Sequence, residues 1–150
     1  MIVFRLSKQM YADDLSGKGA EIAGGRWNSR SRAMLYTSQS VALCVTEIAV
    51  HVPLGIIPEN YMLIHIEIPD NEIFESKKLP SDWQLFPHSD STQQLGDVFL
   101  KNKKFLVMKV PSAVVKGDFN YLINLQHPDF KKVKIIKKEK ISFDQRLFVR

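Results

Sequence analysis

The sequence predicts one α+β domain, built from short strands and local hairpins with a few helices. Three observations carry that expectation. The chain has 150 residues, enough for a single domain with its own core. Tyr61 to Ile68 alternates strictly, with Met62, Ile64, Ile66 and Ile68 on one face and Tyr61, Leu63, His65 and Glu67 on the other, as a half-buried strand requires. Val41 to His51 is instead helix-length and apolar on nearly every side, with Ser38 or Ser40 placed to cap it. No repeat, low-complexity tract or linker divides the chain, so residues 1–150 read as one domain of mixed elements rather than regular β-α-β alternation.

The remaining elements follow in order. Ile2 to Leu6 reads as an opening strand. Gly17, Gly19, Gly24 and Gly25 put four of the seven glycines into nine positions, which reads as a loop that allows close backbone approach. Ala33 to Thr37 reads as a second strand, and Pro53 and Gly55 close the helix that follows it. Residues 69–90 hold three prolines and many polar groups and read as mostly loop. Ser91 or Thr92 starts a short helix through Leu95, Val98, Phe99 and Leu100. Phe105 to Val110, Tyr121 to Asn124 and Val133 to Ile136 are further short strands.

Composition excludes several classes. With 45% hydrophobic and 25% charged residues, nine Phe, four Tyr and two Trp, the chain is not disordered. No apolar run reaches the roughly 18 residues of a membrane helix. The N-terminus lacks a secretion signal, and the single Cys44 has no partner for an internal disulfide, so a reducing cytoplasm is expected. The net charge of +5 is concentrated near the C-terminus, where Lys131 to Lys140 holds six lysines and one glutamate. Val133, Ile135 and Ile136 lie among them, so a solvated edge strand protected by lysine is the expectation. Aromatic residues for base stacking are not interleaved there, which argues against direct nucleic-acid binding.

Four side chains are candidates for chemistry. Glu47 sits on the apolar helix beside Leu43 and Val50, while Val41, Cys44, Val45, Ile48 and Val52 form the other stripe. A carboxylate in such surroundings needs a partner, with Arg5 or Arg26 available, or a polar cavity to open onto. Arg26, in Gly24-Gly25-Arg26-Trp27-Asn28, joins a planar guanidinium to a close-approach backbone and an aromatic wall, which suits phosphate or carboxylate. Tyr36 ends the strand leading into the Glu47 helix, and its alternative role is that of a core tyrosine with a satisfied hydroxyl. Ser112 follows a strand end without nucleophile-elbow glycines, so a hydrogen-bonding or turn role is expected. His51, His65, His88 and His127 show no zinc spacing, Cys44 reads as an inert core thiol, and no metal is expected. No P-loop or dinucleotide glycine fingerprint is present.

In order along the chain stand Leu15-Ser16-Gly17-x-Gly19-Ala20, Gly24-Gly25-Arg26-Trp27-Asn28, Leu35-Tyr36-Thr37-Ser38, Glu47 in its apolar helix and Val110-Pro111-Ser112-Ala113. Then come Asn120-Tyr121-Leu122-x-Asn124-x-x-His127-Pro128 and Phe143-Asp144-x-Arg146-Leu147. Together they resemble the RES-domain toxins of bacterial Xre–RES toxin–antitoxin pairs across nearly the whole chain. Leu125 departs from the pattern, standing where the family usually has proline. The resemblance implies a compact split mixed or antiparallel β-sheet like that of ADP-ribosyltransferase toxins, clamping NAD+ as substrate. It implies that Glu47, Arg26 and Tyr36 form the active-site trio and that Ser112 is the characteristic serine. Arg5, Asn124 and His127 are then further pocket candidates.

The implied reaction is cleavage of the nicotinamide–ribose bond, by hydrolysis or phosphorolysis of NAD+ or with transfer of ADP-ribose to a cellular protein. The implied partners are an Xre-type helix-turn-helix antitoxin that covers the active site and a second toxin copy within the complex. Two other classes compete from the residues alone. One is a basic RNA-binding or RNA-cleaving toxin, favoured by a pI near 9.3; the other is a binding module in which Glu47 and Arg26 only neutralise each other.

Overall fold

Seven strands form one mixed sheet in the computed structural model, which describes residues 1–149. In chain order the elements are β1 (Ile2–Lys8), α1 (Lys18–Ala23), β2 (Leu35–Ser38), α2 (Val41–His51) and β3 (Tyr61–Glu67). They continue with β4 (Ile73–Glu75), α3 (Asp90–Asn102), β5 (Val107–Pro111), β6 (Phe119–Ile123) and β7 (Lys134–Ile141). The sheet order is β4-β5-β6-β2-β1-β3-β7. Every pairing is antiparallel except β4 with β5.

The sheet is split in its middle. β1 pairs with β3 through seven residues, Ile2↔Glu67 to Lys8↔Tyr61, and β2 pairs with β6 through four. Between these halves β1 and β2 share one register pair, Phe4↔Ser38. The halves therefore part beside α2, which packs against β1 and β2.

The period-two pattern of the strands builds a core on each face of the sheet. Leu35, Val107 and Ile123 join Val3, Ile64 and Ile66 on one side. Met34, Met108 and Leu122 join Trp27, Phe99 and Leu100 on the other, under α3. At the far edge, β7 presents Lys134, Lys137, Lys138 and Lys140 to solvent, as the lysine run predicts for an edge strand. The adjacent Ile135 and Ile136 have a local cause: Ile66 faces Ile135 and His65 faces Lys137, so Ile136 is the extra residue of a β-bulge.

Three expectations need correction. The glycine-rich segment contains a short helix, α1, because only Gly17 (φ 64°) and Gly24 (φ 70°) adopt left-handed geometry and they bracket it. The 69–90 stretch contains β4, whose three residues are too few for a periodic pattern to show. Helix α2 is capped by Ser40, which accepts from the Leu43 amide at 3.1 Å, but the burial that an all-round apolar helix implies is incomplete. Val50 is 56% exposed, and only Leu43 and Cys44 are fully inside.

Candidate active site

The unburied face of α2 borders a cavity of about 810 Å³. Its walls include Gly25, Arg26 and Trp27 of the glycine loop, Tyr36 of β2, Glu47 and Val50 of α2, and Asn120 of β6. A smaller cleft of about 460 Å³ opens where β1 and β2 part, lined by Phe4, Leu6, Thr37, Ser38 and Cys44 among others. Tyr36, Glu47, His51 and Asn120 border both spaces. Glu47 thus stands where the split in the sheet meets the main cavity.

The Glu47 carboxylate is held from one side. Its Oε1 accepts from Ser112 Oγ at 3.0 Å and from Asn120 Nδ2 at 2.9 Å. Both donors are themselves oriented. Ser112 Oγ accepts the amides of Val114 and Val115, each at 3.1 Å, so its single hydrogen is left for Glu47. Asn120 Oδ1 accepts from Ser38 Oγ at 2.9 Å, which turns the amide nitrogen toward Glu47. Oε2 takes no hydrogen bond from the described residues and is the oxygen available to a ligand. Glu47 forms no ion pair with Arg5 or Arg26 among the described residues; neutral donors hold it instead.

Arg26 Nη1 donates to the carbonyls of Trp83 and Leu85, each at 2.8 Å. Partial burial lowers the Arg26 pKa, against the attraction of Glu47. Behind it the loop is gripped by α3. Gln93 Nε2 donates to the Gly25 and Asn28 carbonyls, and Asp97 accepts from the Ser29 amide at 3.0 Å. Gly96 lets the helix approach so closely that a Cβ there would lie 1.6 Å from the Trp27 carbonyl oxygen.

The Tyr36 hydroxyl donates to Asn28 Oδ1 at 2.6 Å and accepts the Trp27 amide at 3.1 Å. Burial raises its pKa, so the phenol stays protonated and ties β2 to the loop. Its ring forms part of the cavity wall. Gly25 makes room for it, since a Cβ there would sit 2.6 Å from the Tyr36 oxygen.

The sequence-predicted residues therefore divide. Arg26, Tyr36 and Glu47 come together around one cavity, although 10 and 11 positions separate them in the chain. Ser112 is 2% exposed and reaches the cavity through Glu47. Arg5 borders the smaller cleft, and its Nη1 is committed to the Asp14 carbonyl at 2.9 Å, with burial lowering its pKa.

Asn124 and His127 do not border either space and correct the expectation that they line the pocket. Asn124 is 1% exposed, donating to the Leu100 carbonyl and accepting from the Gln126 amide. His127 caps the following 3₁₀ turn by accepting the Asp129 amide. It also groups with Glu72 and Asp129, their ligand atoms all within 4.8 Å of one another. Spacing along the chain gave no hint of that trio, because Glu72 arrives from the start of β4. The Lys132 ammonium, 3.1 Å from Glu72 and 3.2 Å from Asp129, supplies a positive charge there. Asn120 was missed as a site residue; its sign was an amide-bearing residue at a strand position flanked by aromatics.

Comparison with known proteins then decides the family. The RES domain model matches residues 2–144. The chain belongs to the RES family. This RES chain is 38% identical over 141 residues to the "Prs ADP-ribosylating toxin" of Sphingobium sp. (strain YBL2), covering 91% of this chain and 88% of that protein. It is 34% identical to a "Toxin Res" of Photorhabdus laumondii, covering 98% and 97%. A "Toxin Res" of Pseudomonas putida is 36% identical, with 99% and 100% covered. The toxin–antitoxin complex MbcT–MbcA of M. tuberculosis contains a chain of the same fold, with a TM-score of 0.74 at 19% identity, covering 98% of this chain and 86% of that one.

Proposed function

We propose that this chain is the toxin of a toxin–antitoxin pair and breaks the nicotinamide–ribose bond of NAD+, depleting the dinucleotide by hydrolysis or phosphorolysis and arresting growth. The carrying observation is the Glu47 carboxylate, fixed through Oε1 by Ser112 and Asn120 on the wall of the cavity that also holds Arg26 and Tyr36.

The chemistry needs what these groups offer. As the bond from ribose C1′ to the pyridinium nitrogen breaks, its electron pair returns to nitrogen and nicotinamide departs neutral. No strong general acid is required. The ribose acquires oxocarbenium character, and the free oxygen of Glu47 stabilises that charge while accepting the 2′-hydroxyl hydrogen. An acceptor oxygen then bonds to C1′ and releases its proton. The Arg26 guanidinium takes the pyrophosphate. The Tyr36 ring packs on nicotinamide or the adjoining ribose, its locked phenol taking no part in proton transfer.

A second reading, transfer of ADP-ribose to a cellular protein, is favoured by the name of the Sphingobium relative. In both readings the partner is an Xre-type helix-turn-helix antitoxin covering the cavity, the toxin pairs with a second copy in that complex, and the setting is the cytoplasm. No helix among the described residues is long and apolar enough to cross a membrane.

The test is nicotinamide release from NAD+ by purified protein, with water alone, with phosphate, and with a cell lysate. Release without lysate supports depletion, and its dependence on phosphate distinguishes phosphorolysis from hydrolysis. Release only with lysate, with label from adenylate-labelled NAD+ appearing on protein, supports transfer. No release in any arm contradicts both.

A further inference from the structure

Phe86 is 85% exposed, and beside it Leu85 is 59% exposed. Such side chains on a slack loop would need no explanation, but this backbone is tied down. The Trp83 and Leu85 amides donate to the carbonyls of Pro80 and Asp82, each at 3.1 Å. Asp82 accepts from Ser91 Oγ at 2.6 Å. Trp83 packs against the core cluster under α3, and Arg26 grips the Trp83 and Leu85 carbonyls from the cavity side. The segment is thus anchored by one aromatic residue turned inward and presents another to water at the cavity wall.

Its place along the cavity is the second observation. Glu47, Tyr36 and Asn120 border both the main cavity and the smaller cleft, whereas Gln84, Phe86 and His88 border only the main one. The 84–88 segment therefore borders the main cavity outside the part it shares with the smaller cleft, with Arg26 bonded to its backbone at Leu85. The cavity, at about 810 Å³, falls toward the large end of the roughly 300–1,000 Å³ typical of ligand sites. It has room for more than the nicotinamide half of the substrate.

On the reading that this site cleaves NAD+, we infer that Phe86 is the residue that recognises the adenine ring, stacking on it outside the part of the cavity shared with the smaller cleft. The substrate then lies with its reactive ribose at Glu47, its pyrophosphate at Arg26 and its purine on Phe86. A benzyl ring carries no hydrogen-bonding group, so it reads the π face of the base and is sequence-tolerant among purines. Binding also covers the apolar surface that the free protein leaves exposed.

The test compares the dissociation constants of NAD+ and nicotinamide mononucleotide, which lacks the adenylate half, by calorimetry. Measurements use Glu47→Gln protein, so that neither ligand is consumed, with Phe86 intact or replaced. Phe86→Ala is expected to weaken NAD+ binding about tenfold, within the range that base–aromatic stacking supplies, and to leave the mononucleotide within about twofold. Phe86→Tyr or Phe86→Trp is expected to restore NAD+ affinity. Unchanged NAD+ affinity in Phe86→Ala overturns the inference and leaves the ring to a protein partner. Equal weakening of both ligands also overturns it, showing only a disturbed Arg26 contact. If neither ligand binds even with Phe86 intact, the NAD+ reading itself falls, and the inference with it.

Discussion

Two regions of this protein are rich in polar groups, and they differ in every respect that matters for chemistry. The outer strand β7 carries much of the excess positive charge, with Lys134, Lys137, Lys138 and Lys140 all exposed. The wall around Glu47 brings few charges together, chiefly Glu47 and Arg26, and there Glu47 Oε1 is held by two oriented donors while Oε2 is left open. Lys138 pairs with Asp13 and Lys137 with Glu139, both at the surface, where ion pairs contribute little. Net charge marks the first region at once, whereas the hydrogen bonds that orient Glu47 mark the second as the candidate site. Charge on an edge strand keeps other sheets away; a half-buried carboxylate held by oriented donors is suited to a reaction.

That contrast can be broken or sharpened by substitution. The largest effect is expected at Gly96, where Gly96→Ala drives a methyl group into the Trp27 carbonyl. It should lower stability by about 3 kcal/mol, the upper range of overpacking, and displace the loop carrying Arg26. Chemical denaturation and nicotinamide release together measure both; a stable, active variant would show that α3 does not hold that loop.

Next, Ser112→Ala or Asn120→Ala each removes one donor from Glu47 Oε1. Hydrogen bonds to charged groups contribute about 1.5–3 kcal/mol, so nicotinamide release should fall about ten- to a hundredfold in kcat, with circular dichroism unchanged. An unaffected kcat in both variants would reduce the network to scaffolding.

A smaller effect is expected in alkali. Burial raises the Tyr36 pKa above its ordinary 10.0 and the Cys44 pKa from 9.0 to about 11. Both groups are neutral acids held uncharged in the fold, so their contribution to stability is complete below the unfolded values. It is lost as pH rises past 9 for Cys44 and past 10 for Tyr36. Thermal midpoints measured from pH 8 to 11 should decline over that window, and less steeply in Tyr36→Phe with Cys44→Ser. The smallest effect belongs to β7: Lys134→Gln with Lys140→Gln should change stability by less than about 0.5 kcal/mol and leave nicotinamide release unaltered. A large loss of release would move function toward the basic edge.

Much of this architecture was legible in the sequence for physical reasons. The α2 boundaries followed from a helix-length apolar run after Ser38 and Ser40, between which the sequence did not choose the cap, and β3 followed from strict alternation. Glu47 stood out as a carboxylate in an apolar helix, whereas Arg26 and Tyr36 were joined to it through the resemblance to RES-domain toxins, their local patterns being ordinary turn and core chemistry. What escaped depends on contacts distant in the chain. The pairing of Asn120 with Glu47 spans 73 positions, and the Arg26 contacts with Trp83 and Leu85 span 57 and 59. Neither leaves a local pattern. His127 and Asn124 misled because polar residues in a recurring motif serve equally well to cap a turn or to satisfy a buried carbonyl.

The most direct measurement pairs NAD+ binding with nicotinamide release for the native chain and Glu47→Gln, in the presence of whichever acceptor supports turnover. With the carboxylate of Glu47 as the group that stabilises the ribose cation, the variant should bind NAD+ within a few-fold of the native chain and release nicotinamide about a hundred- to a thousandfold more slowly, the scale of a lost electrostatic group in an active site. A folded Glu47→Gln protein that releases nicotinamide at the native rate would contradict it.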